Sequence, residues 1–254
     1  MTLTPANRTR LRAAAVHLTL SGAIAIVVAL VTLSLWYPGA FAGMAGGRSL
    51  FKLVVAVDVV MGPLLTLVVF NTAKPRRELV RDVAVIGTLQ IAALAYGLDV
   101  LFQARPVALV FEVDRFRVIA ANEVRAQELP QAAPPYRSLP FTGPWVIGTR
   151  ATRSGDEKLE AIDLALAGYD IGQRPTFWQP YSDSRTAALA AARPVEVLLK
   201  RYPARGSEID EILRDARLTR HDARFLPLVA RGDWVAIVDS RGDVAGYAAL
   251  DGFF

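Results

Sequence analysis

The 254-residue chain contains no cysteine. That excludes a disulfide framework, a zinc–thiolate site and a thiol nucleophile. It fits either side of a bacterial inner membrane and does not choose between them. Histidine is nearly as scarce, with only His17 and His221. Metal sites need three or four ligands, and no His/Asp/Glu cluster has ligand spacing. His221, in Arg220-His221-Asp222, reads as a surface residue rather than a member of a triad. Gly43-Met44-Ala45-Gly46-Gly47 lacks the lysine–hydroxyl pair of a phosphate loop. The paired acids Asp156/Glu157 and Asp210/Glu211 stand at helix starts, where the helix dipole favours them. The expectation is a protein without catalytic centre, metal or cofactor.

What is present is apolar and concentrated. Hydrophobic residues make up 53 % of the chain, and nearly all the excess precedes residue 103. Leu18–Leu35 and Leu53–Phe70 are runs of 18 residues, and Val83–Phe102 is a run of 20. Runs of about 18 or more can cross a hydrocarbon core ~30 Å thick. The predicted helices cover about residues 14–36, 51–70 and 82–102. The first run is too long for a signal h-region of ~7–15 residues, so it reads as a retained helix. The composition breaks near Phe102–Pro106. This predicts a three-helix transmembrane domain over 1–104 and a separate domain over 105–254.

Charge orients the membrane part. The net charge of +5 does not point to nucleic acid, because many basic residues flank the apolar runs. Short loops rich in Lys and Arg stay cytoplasmic. Arg8, Arg10 and Arg12 precede the first run, and Lys74, Arg76, Arg77 and Arg81 lie between the second and third. The first loop carries only Arg48, with Lys52 at the lip of run two. The N-terminus is therefore expected in the cytoplasm and the 105–254 domain in the periplasm. Trp36, Tyr37, Phe41 and Phe51 around the first loop, with Tyr96 and Phe102, read as an interfacial aromatic belt.

Beyond residue 105 the pattern predicts a small α+β domain of antiparallel hairpins with helices on one face. Val107, Leu109, Phe111 and Val113 alternate as a half-buried strand, Asp114-Arg115 forms a turn, and Phe116, Val118 and Ala120 return. A second hairpin joins Trp234–Val238 to Val244–Leu250 through Asp239–Asp243. Asp156–Ala167, with Leu159, Ile162 and Leu166 on one face, Ser184–Ala192, Val195–Arg201 and Ser207–Leu218 read as helices, the last capped by Ser207. Pro130–Pro144 reads as a loop.

Within run two, Asp58 stands out. An acid near mid-bilayer costs ~3 kcal/mol on insertion scales and usually faces other helices. Gln90 of run three lies at a similar depth, so a Gln90–Asp58 hydrogen bond is sterically feasible. Gly62 allows close helix approach, and Pro63 removes a backbone donor and should kink the helix. Asp58 either holds its own bundle together or docks another protein's helix. Arg105, Asp114 and Arg115, just outside the bilayer, pair with each other or with a client.

Several stretches together resemble one family. They are Val57-Asp58-Val59-Val60-Met61-Gly62-Pro63-Leu64-Leu65-Thr66-Leu67, Phe70-Asn71, Gln103-Ala104-Arg105-Pro106-Val107 and Phe111-Glu112-Val113-Asp114-Arg115-Phe116. Trp36-Tyr37-Pro38-Gly39 and Asp82-Val83-Ala84-Val85-Ile86 also fit. Over residues 10–125 the chain resembles the type IV pilin accessory proteins. The resemblance implies a non-enzymatic inner-membrane factor that stabilises a cognate type IV pilin or promotes its assembly into pili. The implied partners are the major pilin, through its membrane helix and periplasmic head, and the lipid bilayer; homodimerisation is left open. The reading from a different class is a membrane-anchored periplasmic ligand-binding or sensor protein. Its inner loops, about a dozen residues each, are too short for an output module.

Overall fold

The structure is a computed structural model and describes residues 5–254. The chain forms two compact units. One holds the chain up to Leu35 together with Gly46–Ala104, and the other holds Trp36–Ala45 together with Arg105–Phe254.

The first unit is three long helices. The first is α1 (Pro5–Val31), which widens into a π-helical turn over Thr32–Trp36. After the short α2 (Phe41–Met44) the second helix has three parts, α3 (Gly47–Val55), a π-helical segment over Ala56–Met61 and α4 (Gly62–Val69). The third is α5 (Arg76–Gln103), entered from Pro75. All three are long and apolar enough to cross a membrane. Fewer than a fifth of the residues in each most apolar stretch are buried. Val16, Leu20, Ile26, Val68 and Ile91 are among the side chains facing outward.

Pro63 does not simply interrupt helix two. The π register bonds each carbonyl to the N–H five residues on, and five residues on from Asp58 is Pro63, which has no N–H. The Asp58 carbonyl is instead met by the Gln90 side chain, whose Nε2 donates to it at 3.1 Å. Gly62 makes room: a Cβ there would lie 2.0 Å from Gln90 Nε2. Higher up, a Cβ on Gly97 would lie 2.7 Å from Val54 Cγ2, so α3 and α5 also approach closely.

The second unit is a curled mixed sheet of eight strands with helices on both faces. Its strands are β1 (Pro106–Glu112), β2 (Arg115–Ala120), β3 (Trp145–Thr149), β4 (Trp178–Pro180), β5 (Arg193–Pro194), β6 (Arg224–Ala230), β7 (Gly232–Val238) and β8 (Val244–Ala248). The order is β4-β3-β1-β2-β6-β7-β8, with β5 on β6. The two expected hairpins, β1–β2 and β7–β8, are antiparallel, but β1–β3 and β2–β6 are parallel. The helices are α6 (Gly155–Leu166), α7 (Tyr181–Ala191), α8 (Val195–Arg201) and α9 (Gly206–Asp215).

Helices on one face was the expectation, and burial corrects it. Every residue of β1 is buried. Leu109 and Phe111 enter one apolar cluster with Tyr181 and Ala188 of α7; Ala108 and Val110 enter another with Val124, Ile147 and Trp178. Likewise Ala236 and Val238 of β7 point one way, and Val235 and Ile237 point the other, against Leu198 of α8 and Ile209 and Leu213 of α9. A strand covered on both sides reads as a continuous apolar run, which β1 is. The stripe Leu159, Ile162, Leu166 is also exposed, at 63, 48 and 84 %. Helix α6 is held by Ala161, which is buried, and by the Glu157–Arg150 pair at 2.6 Å. Its N-cap is Ser154, whose Oγ accepts from the Glu157 N–H at 3.1 Å. Ser207 caps nothing; it lies inside α9, whose first turn is closed by Arg205 and Glu208 at 2.5 Å.

Three members of the expected aromatic belt are a second correction, while Tyr96 is 72 % exposed. Trp36, Tyr37 and Phe41 are buried, Tyr37 completely. Phe41 and Met44 belong to the apolar cluster that contains Phe116, Leu226 and Leu228, and the Phe41 ring meets Tyr247 edge-on at 5.5 Å. The Met44 carbonyl accepts the Arg231 N–H at 2.7 Å. Burial pushes the Tyr37 hydroxyl up to about 12 against the opposing pull of Arg105 and Arg231. The first interhelix loop is thus core of the second unit.

The turn of the first hairpin sits one residue earlier than expected, because Glu112 pairs with Arg115 and leaves Val113-Asp114 as its two central residues. Val113 has φ 55, in the left-handed region where a β-branched residue is strained. Val113→Gly is expected to stabilise the protein by about 1 kcal/mol. That would raise the melting temperature in detergent by roughly 2–4 °C; a lower melting temperature would contradict the strain.

Candidate functional site

The candidate site lies where α1, the π segment of helix two and α5 meet. Asp58 is 8 % exposed although it carries a carboxylate. It lies on the π-helical segment Ala56–Met61. The expected bond to Gln90 forms, but to the Asp58 carbonyl rather than its side chain. Asp58 Oδ1 is buried without a hydrogen-bond partner. Buried polar atoms are nearly always paired, so such an exception calls for a reason.

Two apolar cavities flank this carboxylate. One, of about 230 Å³, is lined by Ser21, Ile24 and Val28 of α1, Val54 and Asp58 of helix two, and Gln90 and Leu94 of α5. The other, also about 230 Å³, is lined by Leu53, Val57 and Asp58 and by Tyr96, Gly97 and Val100. Asp58 borders both. Toward the start of α1, His17 Nδ1 and Thr66 Oγ1 share a hydrogen bond of 2.6 Å, a polar tie between α1 and α4. His17 was visible in the sequence, but its link to Thr66 was not, because the two lie 49 residues apart. The arrangement offers one hydrogen-bond-hungry oxygen in an apolar bay. His17 also lines the first cavity, and among the described residues no three His, Asp or Glu side chains group as metal ligands.

The structure divides the other candidates between the two units. Gly62 and Pro63 are buried beside Gln90. Arg105 is 7 % exposed and donates from Nε and Nη2 to the Pro140 carbonyl at 3.3 and 3.1 Å, so it ties the Pro-rich segment to the start of β1. Asp114 and Arg115 pair with each other at 2.7 Å on the surface of the hairpin, and Arg115 also lies over the Phe253 ring at 5.3 Å. His221 is exposed on the turn between α9 and β6.

Sequence reasoning passed over a polar network in the second unit. Arg174, 4 % exposed, donates from Nε to Glu128 at 2.8 Å, and Glu128 also pairs with Arg125 at 3.1 Å and accepts from Thr176. Glu112, at the end of β1, receives Arg117 at 2.7 Å and the Gly172 N–H at 2.9 Å. The one available signal was an acid ending the apolar strand Val107–Phe111, whose charge needs a partner once buried.

Comparison with known proteins places the chain. A family model described as "Fimbrial assembly protein FimB" matches residues 5–46. The "Fimbrial assembly protein, serogroup E1" of Dichelobacter nodosus is 33 % identical over 241 residues, 94 % of each chain. The serogroup I protein of the same organism is 34 % identical over 241 residues, again 94 % of each. The protein of serogroups C1 and C2 is 37 % identical over 117 residues, 46 % of this chain and 89 % of its own. No solved structure matches. Similarity of this degree along nearly the whole chain means that it belongs to the fimbrial assembly protein family.

Proposed function

We propose that the protein is a non-enzymatic inner-membrane accessory factor that stabilises a cognate type IV pilin or promotes its assembly into pili. The relatives are named for fimbrial assembly, and the outward-facing apolar helices suit lipid far better than water. The basic residues Arg8, Arg10, Arg12, Lys74, Arg76, Arg77 and Arg81 favour a cytoplasmic N-terminus and inner loop. Membership of Trp36–Ala45 in the same unit as Arg105–Phe254 favours one side, the periplasm, for both.

The observation that carries the reading is the Asp58 Oδ1 left without a partner between two apolar cavities. A bundle that used this acid only for its own cohesion would satisfy it. An acid kept unsatisfied in an apolar bay is poised for a donor brought by a client helix whose apolar surface fills the cavities. The periplasmic unit would meet the client's globular head.

The Asp58→Leu variant separates the two roles. Loss of an unsatisfied buried acid should leave the protein's own level and melting temperature equal or higher. Recovery of pilin with the purified variant should fall several-fold, with piliation. Unchanged pilin recovery and piliation, or collapse of the variant itself, would defeat this role for Asp58.

A further inference from the structure

The second unit contains an arginine-rich cleft that pilin assembly leaves unexplained. Its volume is about 620 Å³, within the ~300–1,000 Å³ of small-molecule sites. Arg125, Arg137, Arg150, Arg153 and Arg174 line it, with Trp178 in the wall. The Trp178 Nε1 donates to the Gly172 carbonyl at 2.8 Å, which fixes the indole. The arginines come from the turns around Ala121–Glu123, Pro134–Tyr136, β3 and Ile171–Phe177, so several separate segments converge on one cleft.

Three glutamates also face the cleft, and each is already engaged. Glu157 takes both forks of Arg150, at 3.0 and 2.6 Å, and that bond pushes its carboxyl down to about 2. Glu128 is shared by Arg174 and Arg125. Glu160 meets Arg174 Nη2 at 3.0 Å. Arg137 and Arg153 form no ion pair among the described residues; Arg137 donates through Nε to the Ala132 carbonyl at 3.2 Å. Arg174 has a side chain 5 % exposed, and its Nη1 has no hydrogen-bond partner. A buried guanidinium N–H without an acceptor is destabilising. Two guanidinium groups without an ion pair in the same cleft make an oxyanion the chemistry that answers it, since the planar fork matches phosphate and carboxylate oxygens.

We propose that this cleft binds a small molecule through a phosphate or carboxylate group. The oxyanion meets Arg137 and Arg153 and brings an acceptor toward Arg174 Nη1. The rest of the ligand lies along the cleft wall that includes Trp178.

The test is calorimetric titration of the full-length protein in detergent with inorganic phosphate, citrate and an acidic peptide, at matched ionic strength. Saturable binding of phosphate or citrate is expected, weakened at least ten-fold in Arg137→Gln/Arg153→Gln and partly in Arg153→Lys. The ligand-free melting temperature reports whether each variant folds, and Arg153→Gln alone, at an exposed position, serves if the double variant does not. The Asp58→Leu protein should bind as the parent does, which keeps this outcome separate from the pilin result. Absence of saturable binding by phosphate and citrate, equal affinity in the variants, or binding of the peptide alone would overturn the proposal.

Discussion

Phe41→Ala should destabilise the second unit by about 3–5 kcal/mol, although the residue lies in the loop between the first two long helices. Phe41 is 8 % exposed and packs in the cluster formed by β1, β2, β6, β7 and α7. Its truncation removes the edge-on contact with Tyr247 and opens a cavity lined by side chains that strands hold in place, so little relaxation can fill it. Leu166→Ala is the matched control: Leu166 is 84 % exposed, and loss of its side chain should change stability by less than about 0.5 kcal/mol. Urea unfolding in detergent, followed by the tryptophans of the second unit, reads both. Equal midpoints for the two variants would show that the loop is not core.

Glu128→Ala should be of similar size, about 3–5 kcal/mol, for an electrostatic reason. Glu128 is 7 % exposed and accepts from Arg174, Arg125 and Thr176. Without it, Arg174 remains buried and, among the described residues, keeps only Glu160, an acid 59 % exposed, as an ion-pair partner. An unpaired buried charge is worse than no charge. The double variant Glu128→Leu/Arg174→Met should therefore recover most of the loss, since replacing a buried pair with apolar residues of similar volume is often neutral. A double variant as unstable as Glu128→Ala would mean that the pair is worth more than its desolvation.

Both predictions concern parts of the molecule that sequence reasoning treated differently. The long helices were legible because each is a long, predominantly apolar run, a signal that needs no knowledge of neighbours. Their irregularity was not: the π segment at Ala56–Met61 depends on Pro63 and on Gln90, a residue 32 positions from Asp58. The hairpins β1–β2 and β7–β8 were legible because their turns are short and their partners adjacent. Strand β6 escaped notice, because Pro227 breaks its pattern and its parallel neighbour β2 is about a hundred residues away. Strand β3 escaped because Gly148 weakens its pattern; the glycine is required, since a Cβ there would lie 1.9 Å from Ser184 Oγ.

The loop Trp36–Ala45 shows the limit most clearly. Aromatic residues beside an apolar run look the same whether they meet headgroups or a protein core. Only the tertiary contacts of Phe41 and Met44 decide. Conversely, Leu159, Ile162 and Leu166 carry the spacing of a core-facing stripe and are exposed. Of the bundle residues the sequence singled out, Gln90 bonds to Asp58 and stands against Gly62. What it could not supply was that Gln90 would donate to the Asp58 backbone carbonyl rather than to its carboxylate.

The proposed function puts a client pilin helix against the Asp58 face of helix two. Site-specific photo-crosslinking from Val57, which borders the second cavity and is 41 % exposed, tests it most directly in pilin-expressing cells. A crosslinked band containing pilin is expected from Val57 and from Leu53, lost in the Asp58→Leu background. Efficient crosslinking to other proteins, with no pilin band while pili assemble normally, would contradict it.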